Sequence, residues 1–193
     1  NVRGSDYPLL INAFGSYRRM RMALHCGDFN EIAARIESLI RMQPPGPGII
    51  DKIRMLFTLK DLAHILPREV KKAPCQERVF TGDDLLDRLP IMQCWPADGG
   101  PFITLPVVIT KDPETGLQNA GMYRMQKFSN STTGMHWQYN KDGARHYEKY
   151  RVLNRRMDVA VALGGVPAVT FAATAPLPPD IDEMLFAGFI ESR

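Results

Sequence analysis

Cysteine is scarce in this sequence. Only three are present among 193 residues, Cys26, Cys75 and Cys94, and they stand far apart without a Cys-x-x-Cys spacing. An odd number at such spacing argues against a disulfide framework and against a structural zinc site. We therefore predict a protein of a reducing compartment, the cytoplasm.

Long apolar runs are also missing. No stretch of about eighteen apolar residues exists, so no membrane span is predicted. Residues 1–6 lack the basic and then apolar order of a signal peptide. The chain starts without Met and ends just after the apolar segment 184–190. We therefore expect it to be a piece of a longer polypeptide, whose other parts or a second subunit cover that segment.

A strong charge of either sign is the third absence. The 24 basic and 21 acidic residues leave a net charge of +3, and both signs are interspersed. This balance gives no reason to expect a nucleic-acid partner. The glycine pairs at 99–100 and 164–165 fit neither Gly-x-Gly-x-x-Gly nor the Walker pattern, and no Gly-x-Ser-x-Gly is present. Dinucleotide, nucleoside-triphosphate and serine-hydrolase sites are thus disfavoured.

The composition favours a globular protein with a buried core, because 45% of the residues are hydrophobic. Its length allows one large or two small domains. The first forty-odd residues are predicted to be helical, with Asp28 and Glu31 in a capping-box arrangement. Residues 44–48 (Pro-Pro-Gly-Pro-Gly) end that helix, a second helix follows over 50–66, and we place a domain boundary at 68–78.

The second part of the chain is richer in β-branched residues. We predict strands over 102–110, 119–128, 132–139 and 159–163, the last of them buried, and a strand or turn over 169–174. Residues 112–116 form the turn of a hairpin. Helices are predicted over 142–153 and after a cap at Asp182.

Three polar residues are candidates for chemistry, and each also has a purely structural interpretation. Asn119 is either a turn residue or an oxygen ligand for Mg²⁺ or Mn²⁺. Arg124 is either an exposed strand cation or a planar fork that binds a carboxylate. Glu183 is either a favourable charge at a helix N-terminus or a metal ligand. Since Asn119 and Arg124 are an odd number of residues apart, a bulge or strand end is needed to bring both to one site.

Two histidines receive structural interpretations. We expect His136 to pack or hydrogen-bond within its strand. His146 is expected to be solvated on the polar face of its helix, beside charged residues such as Arg145, Glu148 and Lys149.

Five stretches of this sequence together resemble the UbiD family of decarboxylases, which act on 3-polyprenyl-4-hydroxybenzoate and related aromatic acids. They are Cys94-Trp-Pro-Ala-Asp-Gly-Gly100, Phe102-Ile-Thr-Leu-Pro106, Asn119-Ala-Gly-Met-Tyr-Arg124, Thr132-Thr-Gly-Met-His-Trp-Gln138, and Ala175-Pro-Leu-Pro-Pro-Asp-Ile-Asp-Glu183 with Ala187-Gly188. The resemblance implies an α+β protein: residues 1–75 as the end of an α/β domain, and 76–193 as the first part of a split β-barrel like that of flavin reductases.

The resemblance also implies a cofactor, prenylated flavin mononucleotide (FMN), with Mn²⁺ or Mg²⁺ at its phosphate and K⁺ as a further candidate ion. Arg124 would be the catalytic arginine near the substrate carboxylate. The metal ligands would be Asn119, Glu183 and Asn140, which stands where many relatives have His. The flavin-contacting residues implied are Asn119, Ala120, Gly121, Met122, Tyr123, Arg124, Tyr139 and Asn140.

The function implied for the parent protein is reversible, non-oxidative decarboxylation of an aromatic or α,β-unsaturated acid. A homo-oligomer is expected, and a flavin prenyltransferase would supply the cofactor. The family's proton-donating Glu belongs to a Glu-Gly-Pro-Phe-Gly-like motif that this sequence lacks. A catalytically inert flavin-binding or scaffold fragment is therefore the alternative.

Overall fold

The computed structural model describes residues 2–41, 65–178 and 181–191. Its helices are α1 (Tyr17–Ala23), α2 (Phe29–Ile40), α3 (Asp142–Val152), α4 (Pro167–Ala172) and α5 (Glu183–Glu191). Its strands are β1 (Phe102–Ile103), β2 (Pro106–Lys111), β3 (Gln118–Met122), β4 (Met125–Lys127), β5 (Thr133–Met135) and β6 (Ala160–Leu163). Two short 3-10 helices cover Pro74–Gln76 and Leu85–Arg88. None of the described helices is long and apolar enough to cross a bilayer.

The strands form two antiparallel sheets of three. One has the order β1-β4-β5 and the other β3-β2-β6. The described strands close no barrel, so the protein is a mixture of helices and antiparallel sheets. The split-barrel topology stays a prediction, and so does the domain boundary at 68–78.

A long hairpin connects the two sheets, with its turn at residues 112–116 as predicted. Ile103 pairs with Met125 and Val107 with Met122. Between these two pairs the first strand covers four residues, from 103 to 107, whereas its partner covers three, from 122 to 125. The extra residue breaks the hairpin in the manner of a bulge. Each of the two strands predicted over 102–110 and 119–128 is therefore divided between the sheets, and the pairing of β3 ends before Arg124.

The apolar residues lie in two clusters. The larger joins the N-terminal helices to the two C-terminal helices, through Leu24, Ile32, Ala168, Ala172, Ala187, Phe189 and Ile190. The smaller lies on the sheets and contains Val108, Tyr123 and Met125. The final helix, expected to need an external cover, buries Ala187, Phe189 and Ile190 within this chain. Gly188 allows that packing, because a Cβ there would overlap the backbone of Ile65.

Helix starts follow the sequence closely. The Glu31 carboxylate accepts the N–H groups of Gly27 and Asp28, which confirms the capping arrangement. The Asp182 carboxylate accepts the N–H of Met184 and so caps α5. Residues 2–16 contain no helix, contrary to prediction. The predicted break at 44–48 and most of the helix over 50–66 lie outside the described residues.

Three other predictions are wrong. The strand β6 was expected to be buried, but it is an edge strand and Leu163 is 47% exposed. Residues 169–174 belong mainly to helix α4, because Pro167 starts that helix and Ala168 and Ala172, four residues apart, pack in the core. His146 is buried rather than solvated, since α3 turns it toward the sheet.

A polar network joins β2 to α3. Thr110 and His146 are both buried, and Thr110 Oγ1 is 2.9 Å from His146 Nδ1. Lys149 Nζ lies 2.6 Å from Asp112 Oδ2 and 2.8 Å from Glu114. Burial lowers the pKa of His146, although the nearby Asp112 carboxylate partly opposes this. The imidazole is therefore neutral at physiological pH and is held by a hydroxyl group rather than by a full ion pair.

The carboxylate of Asp112 is the strongly stabilised charge of this network. Burial by itself would raise its pKa, but the hydrogen bonds from Lys149 and from the N–H groups of Glu114 and Thr115 outweigh burial and lower it to about 2. A carboxyl group whose pKa falls on folding stabilises the native state above its unfolded pKa. That stabilisation is lost as the pH falls through the folded value.

We expect Asp112→Asn to lower the free energy of unfolding at neutral pH by about 1 kcal/mol, allowing for solvent screening at the partly exposed Lys149. The difference from the unchanged chain should shrink as the pH falls from about 4 toward 2, where Asp112 itself becomes protonated. Urea unfolding followed by circular dichroism measures both effects. Glu148→Gln, which removes an exposed ion pair with Arg151 on the same helix, is the control and should change stability far less. If the loss of unfolding free energy were the same at neutral pH and near pH 2, the lowered pKa assigned to Asp112 would be contradicted.

Candidate functional site

An open cleft of about 380 Å³ lies where the chain leaves β3 and enters β4. The described residues lining it are Met122, Tyr123, Arg124, His136, Gln138 and Lys141. Two of the six side chains carry a positive charge at neutral pH, and none is an acid. The cleft is therefore suited to an anion or a carboxylate.

Arg124 is held from two directions. Its guanidinium centre lies 3.7 Å from the centroid of the Phe102 ring, and Nη2 is 3.1 Å from Asp98 Oδ2. The side chain remains 39% exposed toward solvent. Stacking on an aromatic face and pairing through one nitrogen leaves other N–H groups of the fork able to bind a ligand.

Tyr123 forms a fixed wall of the cleft. Its ring covers Gly121, where a Cβ would overlap it, and stacks on Trp137 at a centroid distance of 5.4 Å. Its hydroxyl oxygen accepts the N–H of Gly143 at the start of α3. Burial raises the pKa of Tyr123, while the hydrogen bonds from Gly143 and Asn119 partly offset that effect. The phenol is thus neutral at physiological pH.

Glu183 covers the outer edge of β3. Its carboxylate accepts the N–H of Ala120 at 2.9 Å, and the Ala173 carbonyl accepts the N–H of Met122. These two N–H groups point away from β2 and would otherwise form an open sheet edge. Burial raises the pKa of Glu183; the Ala120 hydrogen bond lowers it, and the carboxylates of Asp182 and Asp142 raise it further.

That environment fits a cation. Glu183 is partly buried, its electrostatic neighbours include two other acids, and no Lys or Arg pairs with it in the described part of the chain. A bound divalent ion would relieve the repulsion among these carboxylates, which are hard oxygen donors. No group of three or more His, Cys, Asp or Glu residues suited to a metal occurs among the described residues.

Asn119 is buried at 6% exposure and adjoins Ala120, whose N–H group meets Glu183. Its amide nitrogen lies 3.5 Å from Thr110 Oγ1, so the residue is linked through Thr110 to His146. The structure therefore brings Asn119 and Glu183 to the same short stretch of β3. Arg124 lies past the end of that strand, at the cleft.

The other predicted residues are more dispersed. Tyr139 is 93% exposed, and Asn140 is also exposed. His136 was expected to be a structural strand residue, but it lies just beyond β5, is exposed, and lines the cleft. Its N–H donates to the Arg124 carbonyl, which keeps the two residues adjacent.

Gln138 and Lys141 were not predicted as site residues. Both belong to the segment between β5 and α3, which passes the cleft before the helix begins. The available signal was the Thr132–Gln138 stretch, because Gln138 ends it, Lys141 follows it, and its pairing with β4 returns the chain to Arg124. The third strand was predicted over 132–139, which placed Gln138 inside a strand. Only Thr133–Met135 is paired, so Gln138 lies in the segment that passes the cleft.

Comparison with known proteins gives a consistent result. The family model described as the UbiD 3-octaprenyl-4-hydroxybenzoate carboxy-lyase Rift-related domain matches residues 68–193. An uncharacterised protein of Archaeoglobus fulgidus is 49% identical over 192 residues, which are 99% of this chain and 39% of that protein. The chain thus spans about two fifths of the length of this relative.

Solved structures agree with the family match. Vanillic acid decarboxylase of Sedimentibacter hydroxybenzoicus, in its closed form, is 26% identical with a TM-score of 0.75, covering 98% of this chain and 38% of that one. A dimeric form of the UbiD-class enzyme HmfF of Pelotomaculum thermopropionicum, in complex with prFMN, is 25% identical with a TM-score of 0.68, covering 91% and 36%. The sequence motifs, the fold and these similarities lead to one conclusion: the chain belongs to the UbiD family.

Proposed function

We propose that this chain provides the flavin- and carboxylate-binding part of a decarboxylase that uses prenylated FMN. The reaction proposed for the parent protein is the reversible, non-oxidative decarboxylation of an aromatic or α,β-unsaturated acid. The observation that carries the proposal is Arg124, exposed at a cleft beside Lys141 and fixed on the Phe102 ring. The UbiD-class neighbours, which include a vanillic acid decarboxylase and a complex with prFMN, support it.

In this mechanism Arg124 binds and orients the substrate carboxylate. Its planar fork stays charged at any physiological pH and pairs with both carboxylate oxygens. Lys141 adds a second positive charge at the cleft, and the neutral Tyr123 offers an aromatic wall to a flat ligand. Prenylated FMN, when bound, would supply a dipolar group able to act as an electron sink for the decarboxylation.

The remaining site residues are proposed to hold the cofactor. Asn119 and Glu183 would bind Mn²⁺ or Mg²⁺ at the flavin phosphate, with Asn140 as a third ligand and K⁺ as a further candidate ion. The backbone of residues 120–123, together with Tyr139, would contact the flavin. Their support is the proximity of Glu183 to Ala120 and the raised pKa of Glu183, which burial causes first and the Asp182 and Asp142 carboxylates increase further.

A catalytically inert flavin-binding fragment is the second candidate function for the isolated chain. It is favoured by one observation: none of the described residues lining the cleft is a carboxylic acid. Decarboxylation requires a proton donor at the carbon that loses CO₂, and a positioned acid contributes typically about 10²–10⁴-fold in rate. We assign that acid to the remainder of the parent protein. Its assembly as a homo-oligomer, and a flavin prenyltransferase as the source of cofactor, are parts of the same proposal.

The proposed function predicts that Arg124→Lys in the full-length parent protein, loaded with prenylated FMN, lowers kcat/KM by about 10²-fold or more. Lysine keeps the charge but loses the fork that orients the carboxylate. Release of CO₂ from a panel of aryl and unsaturated acids is the measurement. Arg88→Lys is the matched control, because Arg88 also lies over a phenylalanine and beside an aspartate but does not line the cleft. Equal rates for Arg124→Lys and the unchanged protein would refute the role.

The isolated 193-residue chain tests the second candidate function, an inert flavin-binding fragment. Given prenylated FMN, Mn²⁺ and the same acids, it should release no more CO₂ than the flavin alone. Turnover above that background would show that the chain carries its own proton donor.

Glu183→Gln tests the metal site without opening the sheet edge. Glutamine keeps an oxygen that accepts the Ala120 N–H but has no negative charge, so the fold should persist while Mn²⁺ affinity falls by at least about tenfold. Calorimetric titration with Mn²⁺, and flavin retention after gel filtration, report this change. Glu191→Gln, at the opposite end of α5, is the control. Unchanged Mn²⁺ affinity in Glu183→Gln would leave Glu183 only the role of covering β3.

Asn140→His tests the third ligand. A neutral imidazole is a better donor than an amide oxygen for a transition metal, so Mn²⁺ should bind more tightly, whereas Mg²⁺ should gain little. Calorimetry with both ions is the measurement, with Tyr139→His as the neighbouring control. A gain of the same size in the control, or no gain for Mn²⁺, would place the third ligand elsewhere.

A further inference from the structure

Residues 93–100 form a loop with several hydrogen bonds between its own residues. The Gln93 side-chain nitrogen lies 3.2–3.3 Å from the carbonyl oxygens of Trp95, Pro96 and Asp98, so its two N–H groups are shared among three acceptors. The Asp98 N–H donates to the Trp95 carbonyl, and the Trp95 N–H donates back to the Asp98 carboxylate. A loop with this many internal bonds has a defined shape before it contacts anything else.

The same loop is fixed to the strand that follows Arg124. The Gln126 side chain donates to the Gly99 carbonyl at 2.8 Å, and the Lys127 N–H donates to the Pro101 carbonyl. A Cβ at Gly99 would come within 2.9 Å of the Gln126 side-chain nitrogen, so the Gln126 side chain would have to shift. The loop is therefore attached to β4 at two points.

Asp98 is the charged residue that this arrangement presents to Arg124. Its side chain is only 16% exposed, and the same Oδ2 atom receives the Trp95 N–H at 3.2 Å and Arg124 Nη2 at 3.1 Å. The Phe102 ring supports the face of the guanidinium. Asp98 thus contacts one edge of the Arg124 guanidinium and Phe102 contacts one face. Another part of the side chain stays exposed at the cleft.

We propose that Asp98 is the positioning residue for Arg124. Its carboxylate holds one nitrogen of the fork against the Phe102 ring, so that the other N–H groups face the cleft in a fixed direction. The stretch from Cys94 to Gly100 contains none of the predicted site residues. Its role in this proposal is to hold the Asp98 carboxylate in place. The positioning stands on geometry alone; only its use toward a substrate carboxylate rests on the proposed function.

The protein contains a matched control for this arrangement. Arg88 lies 4.7 Å from the centroid of the Phe80 ring, and its Nη2 is 3.2 Å from Asp84 Oδ2. Asp84, however, is 60% exposed and pairs with Arg88 within one short helical turn, without a loop built around it. Exposed pairs of this kind contribute little to order or stability.

Nuclear magnetic resonance of the ¹⁵N-labelled 193-residue chain measures the order of the Arg124 side chain directly. The Nε–H signal of Arg124 is identified by its loss in Arg124→Lys, and its heteronuclear NOE reports motion of the guanidinium. We expect high order in the unchanged chain, a clear loss in Asp98→Ala, and order retained in Asp98→Asn, whose amide oxygen still accepts the Nη2 hydrogen bond. Asp84→Ala should leave the Arg124 signal unchanged. The dispersion of backbone signals shows that each variant is folded.

Titration with benzoate, followed through the same Nε–H signal, tests how the positioned arginine is used. Asp98→Ala should weaken benzoate binding by about tenfold, because the oriented charge-assisted contact is lost. Asp98→Asn should stay within about threefold of the unchanged chain, a difference well below that of one such contact. Rescue by asparagine separates positioning from a simple change in charge.

The outcomes distinguish the two proposals. Equal order of Arg124 in Asp98→Ala and the unchanged chain, an Arg124 signal already disordered in the unchanged chain, or an asparagine variant as mobile as the alanine variant would each overturn the positioning role. If the order of the Arg124 side chain depends on Asp98 but benzoate does not shift the Arg124 signal, the positioning role is supported. The proposed carboxylate-binding function of the cleft is then refuted.

Discussion

The hairpin between Phe102 and Lys127 carries one more residue on its first strand than on its second, and the arrangement of the site depends on that mismatch. Paired strands that stayed in register would form one continuous ribbon with alternating faces. The extra residue ends the pairing of β3 with β2 before Arg124. The chain then enters a second sheet, and the cleft opens where β3 ends and β4 begins. Arg124 owes its exposure to a break in the ladder rather than to a loop.

The edge of β3 that faces away from β2 is held by hydrogen bonds from outside the sheet. Its outward N–H groups are taken up by the Glu183 carboxylate and the Ala173 carbonyl, so the C-terminal helices seal the strand that leads to the cleft. On its inner face, Asn119 contacts Thr110, which is held by the buried His146. The strand is thus fixed from the edge, from its partner strand and from α3. Such support on several sides is what holds site residues in a single geometry.

Sequence reasoning recovered the features that depend on local chemistry. The caps at Glu31 and Asp182, the turn at 112–116 and helix α3 all follow from side-chain hydrogen bonds or spacing within a few residues. The family resemblance, carried by short motifs, was confirmed by the match over residues 68–193. These features can be predicted from the sequence because they depend on residues close together in the chain, so no tertiary contact has to be known.

Features that depend on distant contacts were missed. A strand pattern over 102–110 gives no sign of an extra residue, since the bulge exists only relative to the partner strand. The polar neighbours of His146 on its helix suggested solvent, yet the hydroxyl that satisfies it comes from β2. Residues 169–174 are apolar enough for either a strand or a helix, and the core that accepts Ala168 and Ala172 decided between them. The interaction of Asp98 with Arg124, 26 residues away, was equally invisible.

The position of Glu183 at the first residue of α5 has a thermodynamic consequence. Its carboxylate reaches β3 only while the final helix is docked, so detachment of that helix removes the group from the strand. Any ligand that requires this carboxylate would bind the docked state alone, and its binding free energy would add to the stability of docking. Local unfolding at the C-terminal end of the described chain and occupancy of the site would then be one coupled equilibrium, and protection of the α5 amides from hydrogen exchange would rise with ligand concentration.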